Sequence, residues 1–462
     1  MAEIFDSLSI NGDTFNIIGY DPSDKTKTDK CMIVQKDTIV PNASSTMTSA
    51  TFPNALIIGS SAFYSYSKLY SVDIPNAMYI GDNAFNKCYS LTSVSFSNVV
   101  AMGYGVFRSC SSLSKVVIPN LEIIEESAFG GCISLESAYF PNVIYIGRSA
   151  FAGCTSLSQV SFQNVTTIQS GTFSSCTSLS YVYLPNVTHL SNNVFFSCPI
   201  VSIYMPNIEY IGNIGLSVSF FKTISVAIFP KLSFLYDSIK FSNNLNLTTV
   251  YLPNISCVYS SMFKSCSNLS TVNIANASFI SHFAFGDCLN LMSVVCPNVI
   301  SISHGAFHNC NNLKEIIVPK VTEIGSNAFC YCSKLSYVYA PNISCISAST
   351  FYNCNSLSYI SSPNVITIES SAFMRCNLLS QISLPNITTI GNSAFRYCSS
   401  LQSFYVLTSV VPTLGSYVFH NTPMSSSGFT GTFGSIYVKS SLFDSFKTAT
   451  NWSVYSARMA SM

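Results

Sequence analysis

The chain has 462 residues, of which 48% are hydrophobic and only 9% charged, and its formal net charge is +1. Soluble proteins carry about 25% charged residues, so this surface is expected to be polar but uncharged, built from Ser, Asn and Thr. That balance excludes the basic footprint of a nucleic-acid or anionic-membrane binder. The absence of any run of about 18 apolar residues excludes a membrane-spanning helix, and no membrane insertion is expected.

Residues 1–45 open the chain. Glu3 and Asp6 stand where a secretory signal would carry positive charge, so neither a signal peptide nor an anchor is expected. Asn11-Gly12 lies between apolar runs, which predicts a hairpin. DPSDKTKTDK is the most charged stretch and reads as an exposed loop. The segment is assigned to attachment.

A repeat then takes over. A Pro-like position recurs at 53, 75, 97, 119, 141, 163 and 185, always 22 residues apart. The register slips at Pro206, Pro230 and Pro253 and resumes at 275, 297, 319, 341, 363 and 385. Ser97, Gln163 and Ala275 replace Pro, so the position tolerates change. The unit reads P-N-[VI]-x-x-I-x-x-x-[AVGTS]-F-x-x-C-x-x-L-x-x-[VI]-x-[LFIV]. A fixed period of this size predicts a solenoid, because no unit can bury its apolar face alone. L-x-x-V-x-L, as in Leu179, Val182 and Leu184, predicts a short parallel strand, which Pro then stops. The remainder of each coil is expected to return along the outer side through Ile and a recurring Phe (Phe85, Phe107, Phe129, Phe151, Phe173, Phe195). Sixteen units at about 4.8 Å per coil make a curved rod on the order of 75 Å long. The Asn after Pro (Asn120, Asn142, Asn186, Asn254, Asn298, Asn342, Asn386) is expected to bond backbone as a ladder at the turn. Glycosylation is not expected where such an Asn falls in N-x-[ST], as at Asn186, because stacked turns leave the amide little freedom.

This pattern resembles the BspA-like (Treponema pallidum-type) leucine-rich repeats, through C-x-x-L-x-x-V-x-L-P-N-V-x-x-I-x-x-x-A-F. The resemblance implies a β-rich leucine-rich-repeat solenoid over residues 46–408, irregular at 199–262, that serves adhesion or recognition. The irregular stretch loses the Cys and Phe positions, and a kink, a dimer contact and relaxed packing all remain open for it. Residues 409–462 are similar to the terminal module that follows such repeats in gut Firmicutes and their phages. They read as a cap: a strand over Ser435 to Val438, then a short helix capped by Ser440 with Leu442, Phe443 and Phe446 on its apolar face. The INGxTYxI-type hairpin near the N-terminus resembles attachment segments of phage tail-associated proteins.

Thirteen of the 18 Cys occupy one repeat position, from Cys88 to Cys198 and from Cys266 to Cys398. A single-file row has the wrong shape for zinc, and Cβ atoms stacked in register point the same way, which disfavours disulfides. A buried ladder of free thiols, folded in a reducing compartment, is expected. Cys31, Cys257, Cys296, Cys330 and Cys345 lie off the ladder, and the Cys330/Cys332 pair is expected to place one thiol outward and one inward. His282 and His304 share a repeat position and form a candidate metal pair without a third ligand, so no metal and no cofactor is assigned. Glu122, Glu125 and Glu126 read as a solvated cluster. Neither paired carboxylates, nor a Ser-His-Asp set, nor a glycine-rich phosphate loop is present, so no catalytic residue is assigned and an enzyme is not expected.

The outward strand positions carry the functional expectation. They are nearly free of charge and place tyrosines at Tyr139, Tyr181, Tyr183, Tyr251, Tyr337, Tyr339, Tyr359 and Tyr405. Tyrosine offers a large rigid contact area with a polar tip, although β-propensity alone also favours it in strands. The expected role is non-enzymatic recognition or adhesion to a host or cell-surface protein or glycan through the concave strand face. The alternative is a phage virion component, tail- or capsid-associated, docked by residues 1–45. The expected location is a cell surface reached by an unrecognised route, or a virion. A homo-oligomer or virion partner would act through the N-terminal segment.

Overall fold

A computed structural model describes residues 8–10, 13–15, 32–34, 47–53, 55–212, 223–235, 240–425 and 432–462. The 22-residue period is one turn of a parallel β-solenoid, with about 18 turns in all. The chain divides into two compact units, Met1–Ile224 and Ser225–Met462, and each is a stack of the same turn. The count exceeds the sixteen expected because rungs continue past the recognisable repeat. Met32–Val34 pairs with Ala55–Ile58 at one end of the first unit. Ser435–Val438 and Met459–Ser461 extend the second.

The turn that starts at Leu179 shows how the sequence builds the coil. Tyr181–Tyr183 lies parallel between Gln159–Ser161 and Ser202–Tyr204. Alternation buries Val182 and exposes the two tyrosines. Leu179 and Leu184 are buried on either side. At the Pro185 corner the Asn186 side-chain Nδ2 donates to the Gln163 carbonyl of the preceding coil at 2.7 Å. Asn120, Asn142, Asn254, Asn298, Asn342 and Asn386 make the same bond to their preceding coils. The Asn ladder therefore satisfies the corner carbonyls that no strand reaches.

Past the corner the chain does not simply return. It forms a second parallel ladder of two-residue rungs, as in His189–Leu190 between Thr167–Ile168 and Tyr210–Ile211. Two residues are too few to show a period of two in sequence.

The third side carries the Phe and Cys positions. Two residues per coil, four apart, adopt the left-handed conformation, for example Ser61 and Ser65, Asn83 and Lys87, or Ser261 and Ser265. Ser, Asn and Gly, which tolerate this region, fill most of these positions. Phe283 at φ 50° is a bulky exception, and it dictates the next coil: a Cβ on Gly305 would meet the Phe283 ring at 2.5 Å. Between such residues the N–H groups alternate. Those of Ser61, Phe63 and Ser65 donate to Asp82, Ala84 and Asn86 of the next coil at 2.7–2.8 Å, while Ala62, Tyr64 and Tyr66 bond within their own turn. All three sides of the coil are thus stitched to their neighbours.

Inside, the recurring Phe rings form a spine. Phe63, Phe85, Phe107, Phe129, Phe151, Phe173 and Phe195 follow one another at 5.0–5.6 Å with nearly parallel planes. In the second unit the spine runs from Phe241 to Phe419. Each buried ring contributes about 2–3 kcal/mol by desolvation. Phe419 then meets Tyr455 edge-on at 5.2 Å and Trp452 at 6.4 Å. Trp452 is fully buried, with its Nε1–H donating to the Pro412 carbonyl at 2.7 Å.

The helix beside them, Phe443–Thr448, is not capped by Ser440. Ser440 lies in a 3-10 turn, Ser440–Leu442, and the residue before the helix makes no side-chain cap. The Ser440 hydroxyl donates to the Met462 carbonyl instead, at 2.9 Å. Of the expected apolar face only Phe446 is buried.

Near the N-terminus, Leu8–Ile10 pairs antiparallel with Asp13–Phe15 around Asn11-Gly12. Met32–Val34 joins the solenoid ladder, and the rest of the expected attachment segment, including Cys31 and the charged loop, lies outside the described residues. In the irregular stretch, Val226–Ile228 pairs with Thr249–Tyr251, and residues 213–222 and 236–239 are likewise outside the described residues.

Candidate binding surface

The three-residue ladder has one face turned inward by its central residue and one presented outward. Tyr139 and Tyr181 are each 58% exposed. Tyr183, Tyr251 and Tyr359 are exposed, and Tyr337, Tyr339 and Tyr405 are half-buried. The structure brings four of the eight into stacked pairs, whereas the paired rungs set Tyr139 beside Val117, Tyr181 between Gln159 and Ser202, and Tyr339 between Ile317 and Ser361. Tyr337 stacks on Tyr359 at 5.7 Å with planes 7° apart. Tyr183 stacks on Tyr204 at 5.1 Å and 8°, and Tyr405 on Tyr437 at 4.7 Å and 12°. Tyr251 has no aromatic neighbour on its rung row, which holds Ile228 before it and Asn273 after it.

Tyr204 and Tyr437 were missed from the sequence because the register had slipped before one and had ended before the other. Their local patterns, I-Y-M-P and I-Y-V, still match the strand motif. Around the tyrosines most exposed positions are uncharged, with Ile228, Val295 and Ile317 among them, while Glu315 stands beside Tyr337 and Lys115 lies on a neighbouring rung.

Two clefts open on this ladder. One of about 580 Å³ lies beside Tyr139, Tyr181, Tyr183 and Tyr204 in the first unit. Another of about 650 Å³ lies beside Tyr359 and Tyr405 in the second. Both fall in the range of ligand pockets, about 300–1,000 Å³.

The remaining candidates sort by burial. All thirteen ladder thiols are buried, and each donates to the Phe carbonyl of the preceding coil, at 3.1 Å from Cys88 to Phe63 and 3.2 Å from Cys176 to Phe151. Burial pushes the Cys88 and Cys266 thiols up to about 12 and those of Cys132 and Cys310 well above their usual range. These are structural donors held in the thiol form, the opposite of a reactive cysteine. Cys330 is also buried, so the expectation of one outward thiol in the Cys330/Cys332 pair fails. The third side folds by local left-handed turns rather than by strand alternation, so residues two apart need not face opposite ways.

His282 and His304 are neighbours on adjacent coils, with ring centroids 6.5 Å apart. His304 Nδ1 is engaged by the Ser326 hydroxyl at 2.8 Å. Among the described residues no group of three His, Cys, Asp or Glu side chains is placed to hold a metal. Asp287 lies 4.0 Å from His308, and burial lowers the His308 pKa.

The turn described above matches a family profile, the BspA type leucine rich repeat region in six copies, over residues 42–158, 100–223, 236–343 and 322–449. The chain belongs to the BspA-type leucine-rich-repeat family. No curated protein matches it. Among solved structures, this BspA-type chain is similar to a leucine-rich repeat protein from Bacteroides ovatus, at 17% identity over 89% of this chain and 91% of the other, with a TM-score of 0.38. It is also similar to a leucine rich cell surface protein from Faecalibacterium prausnitzii, at 22% identity over 68% and 88% and a TM-score of 0.32. The Treponema pallidum leucine-rich repeat protein matches at 14% identity over 62% and 78%, with a TM-score of 0.18. Among the described residues no helix of the BspA-type chain is long and apolar enough to cross a membrane.

Proposed function

We propose that this protein is a non-enzymatic recognition or adhesion scaffold that binds a cell-surface protein or glycan through the tyrosine-bearing strand face. One observation carries the reading. Tyrosines at outward rung positions gather into stacked pairs beside two clefts, on a surface almost without charge. Stacked rings lose little side-chain entropy on binding, which suits them as anchors. The ladder thiols, which would otherwise be the obvious reactive groups, are used up in holding the coils together.

The test is direct. Labelled full-length protein is applied to protein and glycan arrays beside a Tyr181→Ala/Tyr183→Ala/Tyr337→Ala variant. Loss of the wild-type signals in the variant is expected. Unchanged binding would remove this face from the function.

A further inference from the structure

On the third side of the coil, successive coils of the second unit carry Asn353, Arg375, Tyr397 and Asn421 at the same left-handed position, with φ 56–67°. Most coils place Ser, Asn or Gly there, and the conformation is uncommon for a side chain as large as Arg or Tyr. Asn355, Asn377 and Ser399 follow two residues after the first three. Both rows line a hollow of about 360 Å³, within the range of ligand sites. The chain has only five arginines, and two of them meet here. The guanidinium carbons of Arg375 and Arg396 lie 5.4 and 4.8 Å from the Tyr397 ring centre. Arg396 Nη2 donates to the Tyr397 hydroxyl oxygen at 3.2 Å, which leaves the phenol hydrogen to be donated elsewhere. Neither guanidinium pairs with a carboxylate among the described residues, where the one ion pair joins His308 and Asp287. No acidic side chain lines the hollow.

We infer that this hollow binds a tetrahedral oxyanion, a sulfate or phosphate group. The site is separate from the strand face and does not depend on the role proposed for it. Arg375 is exposed and lines the hollow, and a guanidinium fork matches an oxyanion better than an ammonium does. A carboxylate has two oxygens in one plane, which a single Arg satisfies. The hollow offers more than that. The Tyr397 and Ser399 hydroxyls and the Asn353 and Asn377 amides are further donors, and they suit an acceptor whose oxygens point in several directions. Asn377 Nδ2 now donates to Asn355 Oδ1 at 3.3 Å, a long neutral bond that a charged acceptor would replace with a stronger one. Arg396 does not line the hollow, and its charge adds to the attraction at short range. A cationic partner is repelled by the same two guanidiniums.

The full chain is titrated by ligand-observed NMR with glucose 6-sulfate, glucose 6-phosphate, inorganic sulfate, inorganic phosphate, glucuronate and glucose. At least one of the two esters should saturate with a Kd below about 5 mM. Glucuronate and glucose should bind at least about tenfold more weakly. The preference among the esters and the free ions identifies the source of the anion. Arg375→Gln should weaken ester binding at least about tenfold, and Arg375→Lys, which keeps the charge and loses the fork, should weaken it as well. Asn377→Ala should cost about threefold. Lys334→Gln removes the same charge from the same unit away from the hollow and should change nothing. Circular dichroism and the unfolding midpoint check that each variant keeps its coils, and the milder Arg375→Lys and Asn377→Ala carry the test if Arg375→Gln does not fold. Saturation by neither ester below about 5 mM, glucuronate binding as tight as theirs, or a Lys334→Gln loss equal to that of Arg375→Gln overturns the inference.

Discussion

The Cys176 thiol donates to the Phe151 carbonyl oxygen of the preceding coil at 3.2 Å. That oxygen already accepts the Cys154 N–H at 3.1 Å, so one thiol per coil satisfies the second lone pair of a buried carbonyl. The same bond recurs along both units, for instance from Cys310 to Phe285 and from Cys398 to Phe373. The cysteine row is a hydrogen-bonding device, and its free thiols need neither metal nor oxidation to be stable.

Stability should therefore fall in alkali. Burial raises the folded-state pKa of Cys88, Cys154 and Cys266 to about 12, against about 8.5 in an unfolded chain. The unfolded state loses its protons first, so this contribution is complete below about pH 8.5 and is lost as pH rises towards 12. Urea midpoints under reducing conditions should be level from pH 6 to 8 and drop progressively above 9. A midpoint that rose across that window would contradict the assignment.

Thiol labelling should separate two classes. Cys257 and Cys345 are half-buried and should react with an aromatic disulfide reagent within the native state. The ladder thiols should react only as fast as the coils open. Rapid titration of most of the ladder in the folded protein would be incompatible with the thiol–carbonyl bonds.

Removing one ring from the spine should cost far more than removing one corner bond. Phe307 stacks between Phe285 and Phe329 at 5.1 and 5.2 Å and is fully buried. Phe307→Ala should cost about 3–5 kcal/mol. Asn342→Ala, which removes the 2.7 Å bond to the Pro319 carbonyl at an exposed corner, should cost about 1 kcal/mol. Chemical denaturation of the two variants measures the ratio. Hydrogen exchange should show the Phe307→Ala loss concentrated in adjacent coils, as nearest-neighbour coupling requires.

Binding by the tyrosine face should depend little on salt. Its clefts hold one charged side chain between them, Glu136, so there is almost no Coulomb attraction to screen. The affinity for any array-identified partner should change less than about threefold between 0.05 and 0.5 M NaCl. A steep salt dependence would point to a different surface.

Much of this architecture was legible in the sequence because the period repeats the same environment many times. The inward Val182, the outward Tyr181 and Tyr183, the Phe spine and the corner Asn186 all follow from one unit read against its neighbours. What stayed hidden needed three dimensions. The two-residue ladder at His189–Leu190 is too short to leave a periodic signal. The Cys-to-Phe bond joins residues 25 apart, three more than the period, and only stacking reveals it. Cys330 was misplaced because strand alternation was applied to a segment built from left-handed turns. Tyr204 and Tyr437 were overlooked where the spacing broke although the local motif had not.

The central claim, that the tyrosine face is the recognition surface, can be tested without any mutation by hydroxyl-radical footprinting of the full chain with and without an array-identified partner. Tyr139, Tyr181, Tyr183 and Tyr359 should lose reactivity on binding. Tyr70, Tyr104 and Tyr417, which are as exposed but lie off the three-residue ladder, should not change and so serve as internal controls. Protection of Tyr70, Tyr104 or Tyr417 with the ladder tyrosines unaltered would contradict the account.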